Sequence, residues 1–254
     1  MTLRRLVAAC ALLATALVTT SPASPAGAQT ARDPVVIVTG FTTGPLIEPA
    51  YQPLASRLRA DGYTVEILSY PDYGTGDIHS QAVRLRDRVA ALRARTGAAK
   101  VDLVAHSMGG LVSRDYIKTL GGDQYVDSLV MLGTPNYGTG VANVATFLGL
   151  GNCLGITACR QMAIGSDYLS ALNAGDDTIG DVTYVSIATT IDELVIPFTS
   201  AYLANDGNIQ NVNVQAQCPL RWPGHLGLIF DGAVYDGIRD VLRDRPVDMN
   251  CWAL

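Results

Sequence analysis

The sequence predicts an α/β fold, a mostly parallel sheet covered by helices on both faces, and three observations carry that prediction. Short apolar runs rich in β-branched residues alternate with amphipathic helical patterns along the chain. The first of these runs, Val35–Thr39, is continuous, as a strand buried on both faces requires. No repeat, low-complexity tract or internal linker interrupts the series, so residues 29–254 are expected to form a single domain.

The elements follow in order. After the strand at 35–39, "GFTTGPLIEP" is a Gly/Pro-marked loop, and residues 50–60 form a helix stopped by Gly62. A second strand spans 64–70. Asp77 is placed to cap a helix whose apolar residues Ile78, Ala82, Leu85, Val89 and Leu92 step by four and three. The arginines at 84, 86, 88, 93 and 95 lie off that stripe and read as a solvated face. A third strand at 101–105 leads into a helix at 108–120, stopped by Gly121-Gly122. Strands at 128–132, 182–188 and 209–215 follow, with helices near 160–173 and at 233–243.

The first 28 residues stand apart. Arg4 and Arg5 precede an uncharged run, Leu6–Val18, and a Pro/Ser/Ala segment ends in Ala26-Gly27-Ala28. That is the three-part pattern of a secretory leader, too short to span a bilayer, and cleavage after Ala28 is expected. The formal net charge of −5 falls by two without those arginines. An acidic domain without basic clusters argues against a nucleic-acid partner and against an anionic membrane surface. Export leaves Cys153, Cys159, Cys218 and Cys251, an even number that favours two disulfides. Spacing suggests Cys153–Cys159 and Cys218–Cys251, although three connectivities stay open. Zinc competes poorly, because no histidine lies near either pair.

"VDLVAHSMGG" (101–110) carries the chemistry. A sharp strand-to-helix turn needs small residues two before and two after a nucleophile, and Ala105 and Gly109 flank Ser107 in that way. The helix beginning at Met108 presents free backbone N–H groups, a site for developing negative charge. A serine hydroxyl needs a base to take its proton. Of the three histidines, His106 adjoins Ser107 and suits packing or hydrogen bonding, and His79 starts a helix at the surface. His225, in the loop "RWPGHLGLIF" after the last strand, is the expected base. The carboxylate orienting it belongs at a strand end between the two, where Asp192 follows the strand 182–188. Glu193 is its rival and Asp206 a weaker alternative, while Asp167, Asp176, Asp177 and Asp181 lie at the wrong end. The second N–H donor to an oxyanion is assigned to Phe41, beside that of Met108, in "VTGFTTG". Gly40 permits close approach there, and Thr42 or Thr43 offers a hydroxyl.

"AHSMGG", "GFTTG", "DELVIP" and "GHLGL", in this order, resemble the small secreted bacterial lipases of the α/β-hydrolase superfamily, of the actinobacterial type. "LGTPNYGTG" (132–140) resembles the segment after the next strand in such enzymes, and there is a looser likeness to the fungal lipase B type. The resemblance spans residues 35–243. It implies the α/β-hydrolase fold with about six strands, carboxylester hydrolysis and no cofactor, with Ser107 as nucleophile, Asp192 as acid and His225 as base; no metal is expected, because no ligand cluster accompanies these three residues. Two departures stand out: Thr39-Gly40 replaces the usual His-Gly, and the cysteine-bearing segment 136–160 exceeds what the smallest relatives carry.

The expectation is therefore a secreted, extracellular, monomeric serine hydrolase acting on lipid esters, triacylglycerols included, at a lipid–water interface without a stable membrane anchor. A cutinase-like polyester hydrolase, a short-chain esterase or an acyltransferase would use the same machinery. A binding module on this fold would have lost Ser107 or His225, and neither is lost. The uncharged segment Val141–Ile156 is expected to form either an apolar wall or partial lid for acyl chains, or a buried helix.

Overall fold

Six parallel strands run side by side in the order β2-β1-β3-β4-β5-β6. They are β1 (Val35–Val38), β2 (Val65–Leu68), β3 (Val101–His106), β4 (Val126–Leu132), β5 (Thr183–Ala188) and β6 (Ile209–Asn213). The structure is a computed structural model and describes residues 32–140 and 152–254. The expected leader and most of the apolar segment 141–156 lie outside the described residues.

Helices cover both faces: α1 (Gln52–Ala60), α2 (Ile78–Thr96), α3 (Met108–Thr119), α4 (Thr157–Gln161), α5 (Asp167–Leu172), α6 (Val214–Gln217) and α7 (Gly232–Val241). Alternate residues of β1 explain why no polar side appears in its sequence. Val36 and Val38 join one core with Leu85 and Val89 of α2 and Leu111 of α3. Val35 and Ile37 join the other with Leu58 of α1 and Ile238 of α7. The α2 stripe read from the sequence is buried throughout, and the Asp77 carboxylate accepts the Ser80 N–H at 2.8 Å. Both suggested disulfides are present, with Cα atoms 5.6 Å apart in Cys153–Cys159 and 5.3 Å apart in Cys218–Cys251.

Two elements differ from the sequence reading. The helix expected near 160–173 is two, α4 and α5, separated at Gly165 (φ 76°), with Ser166 capping the second through its hydroxyl. The last strand stops at Asn213 instead of 215, because the Asn213 side chain accepts the Ala216 N–H and starts α6. In both places a polar side chain offers the backbone a partner that periodicity does not report.

One buried carboxyl lies at the start of β3. Asp102 accepts the Ser128 hydroxyl at 2.6 Å. Burial pushes its pKa up to about 7, and the carboxylates of Asp33, Asp127 and Asp244 add to the shift. The folded chain therefore holds this proton more tightly than the unfolded chain does. The associated stability is fully present below about pH 4 and is lost as pH rises through about 7. Asp102→Asn, which keeps the acceptor for Ser128, is expected to leave Tm nearly unchanged at low pH and to raise it at pH 8. Melting curves across that range check it; a Tm difference that does not grow with pH would reject it.

The sheet order places a switch point between β1 and β3. The chain leaves β1 toward β2 at one edge and leaves β3 toward β4 on the other side. Loops diverge there and open a crevice at the carboxyl ends of the strands.

Candidate active site

Ser107 sits at that switch point, between the last residue of β3 and the first of α3, with φ 55° and ψ −128°. Such a conformation costs a non-glycine residue roughly 1–3 kcal/mol, so the surroundings must enforce it. The Ser107 N–H donates to the Leu132 carbonyl at 2.9 Å, and its own carbonyl accepts the Gly110 N–H at 3.0 Å. Tight packing of α3 on β1 completes the constraint. A Cβ on Gly109 would lie 2.2 Å from the Val38 carbonyl oxygen, so only glycine fits. The small residue two after the serine is thus needed by the helix–strand contact, as the motif implied.

The loop after β1 presses on the same serine. A Cβ on Gly40 would stand 3.0 Å from Ser107 Cβ, which places the Gly40–Phe41 backbone beside the hydroxyl. Met108 opens α3, so its N–H is among those a helix leaves without an internal partner. Thr42 has φ 66°, and its hydroxyl donates to the Phe41 carbonyl at 2.6 Å. Thr43 is buried.

His225 comes from the loop between α6 and α7 and is only 1 % exposed. Its Nδ1 lies 3.0 Å and 2.9 Å from the two Asp192 oxygens. Asp192 is itself fixed by the Leu194 and Val195 N–H groups at 2.9 Å and 2.7 Å. Glu193 takes a different part: it accepts the backbone N–H of His225 at 2.9 Å, so both neighbours hold one residue. Asp206 lies elsewhere, bonded to the Asp177 N–H. With the Nδ1 proton given to Asp192, the neutral ring carries its lone pair on Nε2. That nitrogen is buried and has no hydrogen-bond partner among the described residues. It is placed to take up a proton.

A cavity of about 270 Å³ joins these groups. Ser107 and His225 share its wall with Phe41, Met162, Val195, Leu226, Ile229 and Phe230, so the lining is overwhelmingly apolar. His79 bonds Asp115 at a partly exposed site, away from this cavity. His106 is buried beside it, and burial pulls its imidazole pKa down to about 3, with the nearby His225 adding to the shift. Among the described residues, no group of three or more His, Cys, Asp or Glu is arranged to hold a metal ion.

Sequence reading did not single out Tyr51 or the structural part of Glu193. It also passed over Arg114, whose guanidinium is wholly buried against Asp177 at 2.9 Å. One signal for Arg114 was available: the six residues of its helix before it, Met108–Ser113, are all small or apolar.

Residues 32–219 match the Lipase (class 2) family. Lipase B of Pseudozyma antarctica is 27% identical over 220 residues, covering 83% of this chain and 61% of that protein. Among solved structures, Aspergillus fumigatus lipase B superposes with a TM-score of 0.74 at 20% identity, over 87% of this chain and 54% of that one. The mature form of a Bacillus licheniformis lipase does so at 0.67 and 18%, over 84% and 93%. The chain thus spans about three-fifths of the curated relative and about half of the Aspergillus enzyme. These structures share the α/β-hydrolase fold of this chain, and the family match covers most of its length, so the chain belongs to the class 2 lipases.

Proposed function

We propose that this protein hydrolyses lipid esters, triacylglycerols among them, with Ser107 as nucleophile. One observation carries the reading: an imidazole bound at Nδ1 by a buried carboxylate leaves a buried Nε2, unpartnered among the described residues, in an apolar cavity that Ser107 also lines. In this mechanism Ser107 Oγ attacks the ester carbonyl carbon as His225 Nε2 takes the hydroxyl proton. Asp192 stabilises the imidazolium that forms. The carbonyl oxygen becomes an oxyanion and accepts the N–H groups of Phe41 and Met108. Collapse breaks the bond to the alcohol, which leaves with the proton from His225. Water then attacks the acyl-enzyme by the same route, releasing the acid and restoring Ser107. The cavity wall accepts the acyl chain, because an apolar lining beside the reacting atoms matches hydrocarbon rather than a polar leaving group. Action outside the cell fits the same reading. The chain carries two disulfides, which persist in oxidising compartments, and no helix among the described residues is long and apolar enough to cross a membrane.

The test is a rate profile over p-nitrophenyl esters from acetyl to palmitoyl, with emulsified triolein and a polyester film, each with and without EDTA. Triolein and the longer esters are expected to be hydrolysed, with EDTA having no effect. Activity confined to acetyl and butyryl esters would replace the lipase reading with a short-chain esterase. Faster hydrolysis of film than of glyceride would favour a polyesterase.

A further inference from the structure

His106 adjoins Ser107 in the chain, yet its ring nitrogens engage two other loops. Nδ1 lies 2.8 Å from the Tyr51 hydroxyl oxygen. Nε2 lies 3.1 Å from the backbone carbonyl oxygen of His225. The Tyr51 oxygen accepts the backbone N–H of Gly40 at 3.0 Å. Tyr51 and His106 are both buried, and the His106 ring centroid stands 4.9 Å from that of His225.

The two ends of this chain of bonds have fixed polarity. An amide N–H only donates and a carbonyl only accepts. A carbonyl facing Nε2 requires the proton there. A neutral imidazole then has its lone pair on Nδ1, which must accept the Tyr51 proton. The phenol oxygen remains free to accept from Gly40. Every contact joins one donor to one acceptor in this arrangement, and the opposite tautomer would set the Nε2 lone pair against the His225 carbonyl. Burial holds both side chains neutral, pulling the His106 pKa down to about 3 and pushing that of Tyr51 up.

We infer that Tyr51 and His106 form a positioning strut, with His106 locked as its Nε2–H tautomer, that ties the Gly40–Phe41 backbone to the His225 backbone across Ser107. The inference rests on the roles proposed above for Phe41 and His225. Those two groups arrive on loops after β1 and after α6, far apart in sequence, and both must be in register when the oxyanion forms. Preorganised donors stabilise a transition state only when they need not move to meet it. The strut sets their separation through backbone atoms at both ends, so it acts on Phe41 and His225 without taking part in bond making.

The first measurement is imidazole ¹⁵N NMR on the untagged protein, whose three histidines are assigned by His79→Gln and His106→Gln. His106 is expected to show a protonated Nε2 and a bare Nδ1, unchanged from about pH 5 to 9, where an ordinary histidine titrates. A His106 that titrates in that window, or carries its proton on Nδ1, overturns the strut. The second is kinetic, on a soluble ester. Tyr51→Phe is expected to lower kcat about 10- to 100-fold with KM nearly unchanged, the scale of a small misplacement of reacting groups. His106→Gln keeps an amide N–H near the Nε2 position and so retains the arm to His225 while losing the arm to Tyr51. Adding Tyr51→Phe to His106→Gln should therefore cost less than about twofold more. Full additivity, or a lowered Tm with unchanged kcat, overturns the strut. A wild-type enzyme that neither cleaves esters nor reacts with an organophosphonate at Ser107 would sink the functional reading instead, and the NMR result would stand apart from it.

Discussion

Ser107→Ala is expected to lower kcat for ester hydrolysis by about six orders of magnitude, and His225→Ala by a similar factor. The two losses should not add. Without the serine there is no attacking oxygen for His225 to activate, and without Nε2 the hydroxyl keeps its proton. The remaining rate is expected to come from the proposed Phe41 and Met108 donors and from binding, so the double variant should match either single one. Asp192→Asn should cost less, about 10⁴, because the ring stays in place but its Nδ1 loses the charge that stabilises the imidazolium. Folding is expected to survive Ser107→Ala. The strained backbone is enforced by the Leu132 and Gly110 bonds and by the contact of Gly109 with Val38, none of which uses the hydroxyl. Steady-state rates and melting curves on purified variants test both halves. Near-full activity in Ser107→Ala with an unchanged Tm would remove the mechanism altogether.

Much of this was legible in the chain, for identifiable reasons. Strand β1 could be read because both its faces are buried, which forces an unbroken apolar run. The sharp turn at Ser107 could be read because a strand-to-helix turn of this kind constrains residues only two positions away, so the requirement is local. His225 followed from scarcity: three histidines, one of them on a loop after the last strand. Asp192 and Glu193 illustrate where local reasoning stops. Both are acidic, adjacent and past the same strand end, and only the tertiary approach of His225 decides which meets the ring and which meets its backbone. Tyr51 lies 55 residues from His106, and no spacing rule connects them. Two further misses are backbone effects: Gly165 breaks what looked like one helix, and Asn213 ends a strand by capping the turn that follows.

Asp177→Asn is expected to lower stability by about 3–5 kcal/mol, because it strands a buried charge. Arg114 projects from α3, and its guanidinium is fully enclosed. It donates to Asp177 at 2.9 Å, to Asn173 at 2.9 Å and to Asn136 at 3.3 Å. Asp177 in turn accepts the Tyr137 hydroxyl at 2.5 Å and the Ala204 N–H at 2.7 Å. Burial already pulls the Arg114 pKa down, and Asp177 is the first opposing influence. Asparagine keeps the shape and one acceptor but removes the charge, so the guanidinium would face amides and a phenol alone. For a domain of this size, the loss corresponds to a fall of about 10 °C in Tm. Removing both charges should be milder. Arg114→Met/Asp177→Asn leaves no ion at this position and is expected to recover more than half of the lost stability, as happens when a buried pair is replaced as a unit. Urea unfolding of the wild type, both single variants and the double variant gives the coupling directly. A single-variant loss below about 1 kcal/mol, typical of exposed pairs, would mean that water reaches Arg114 and that the pair contributes as a surface bridge does.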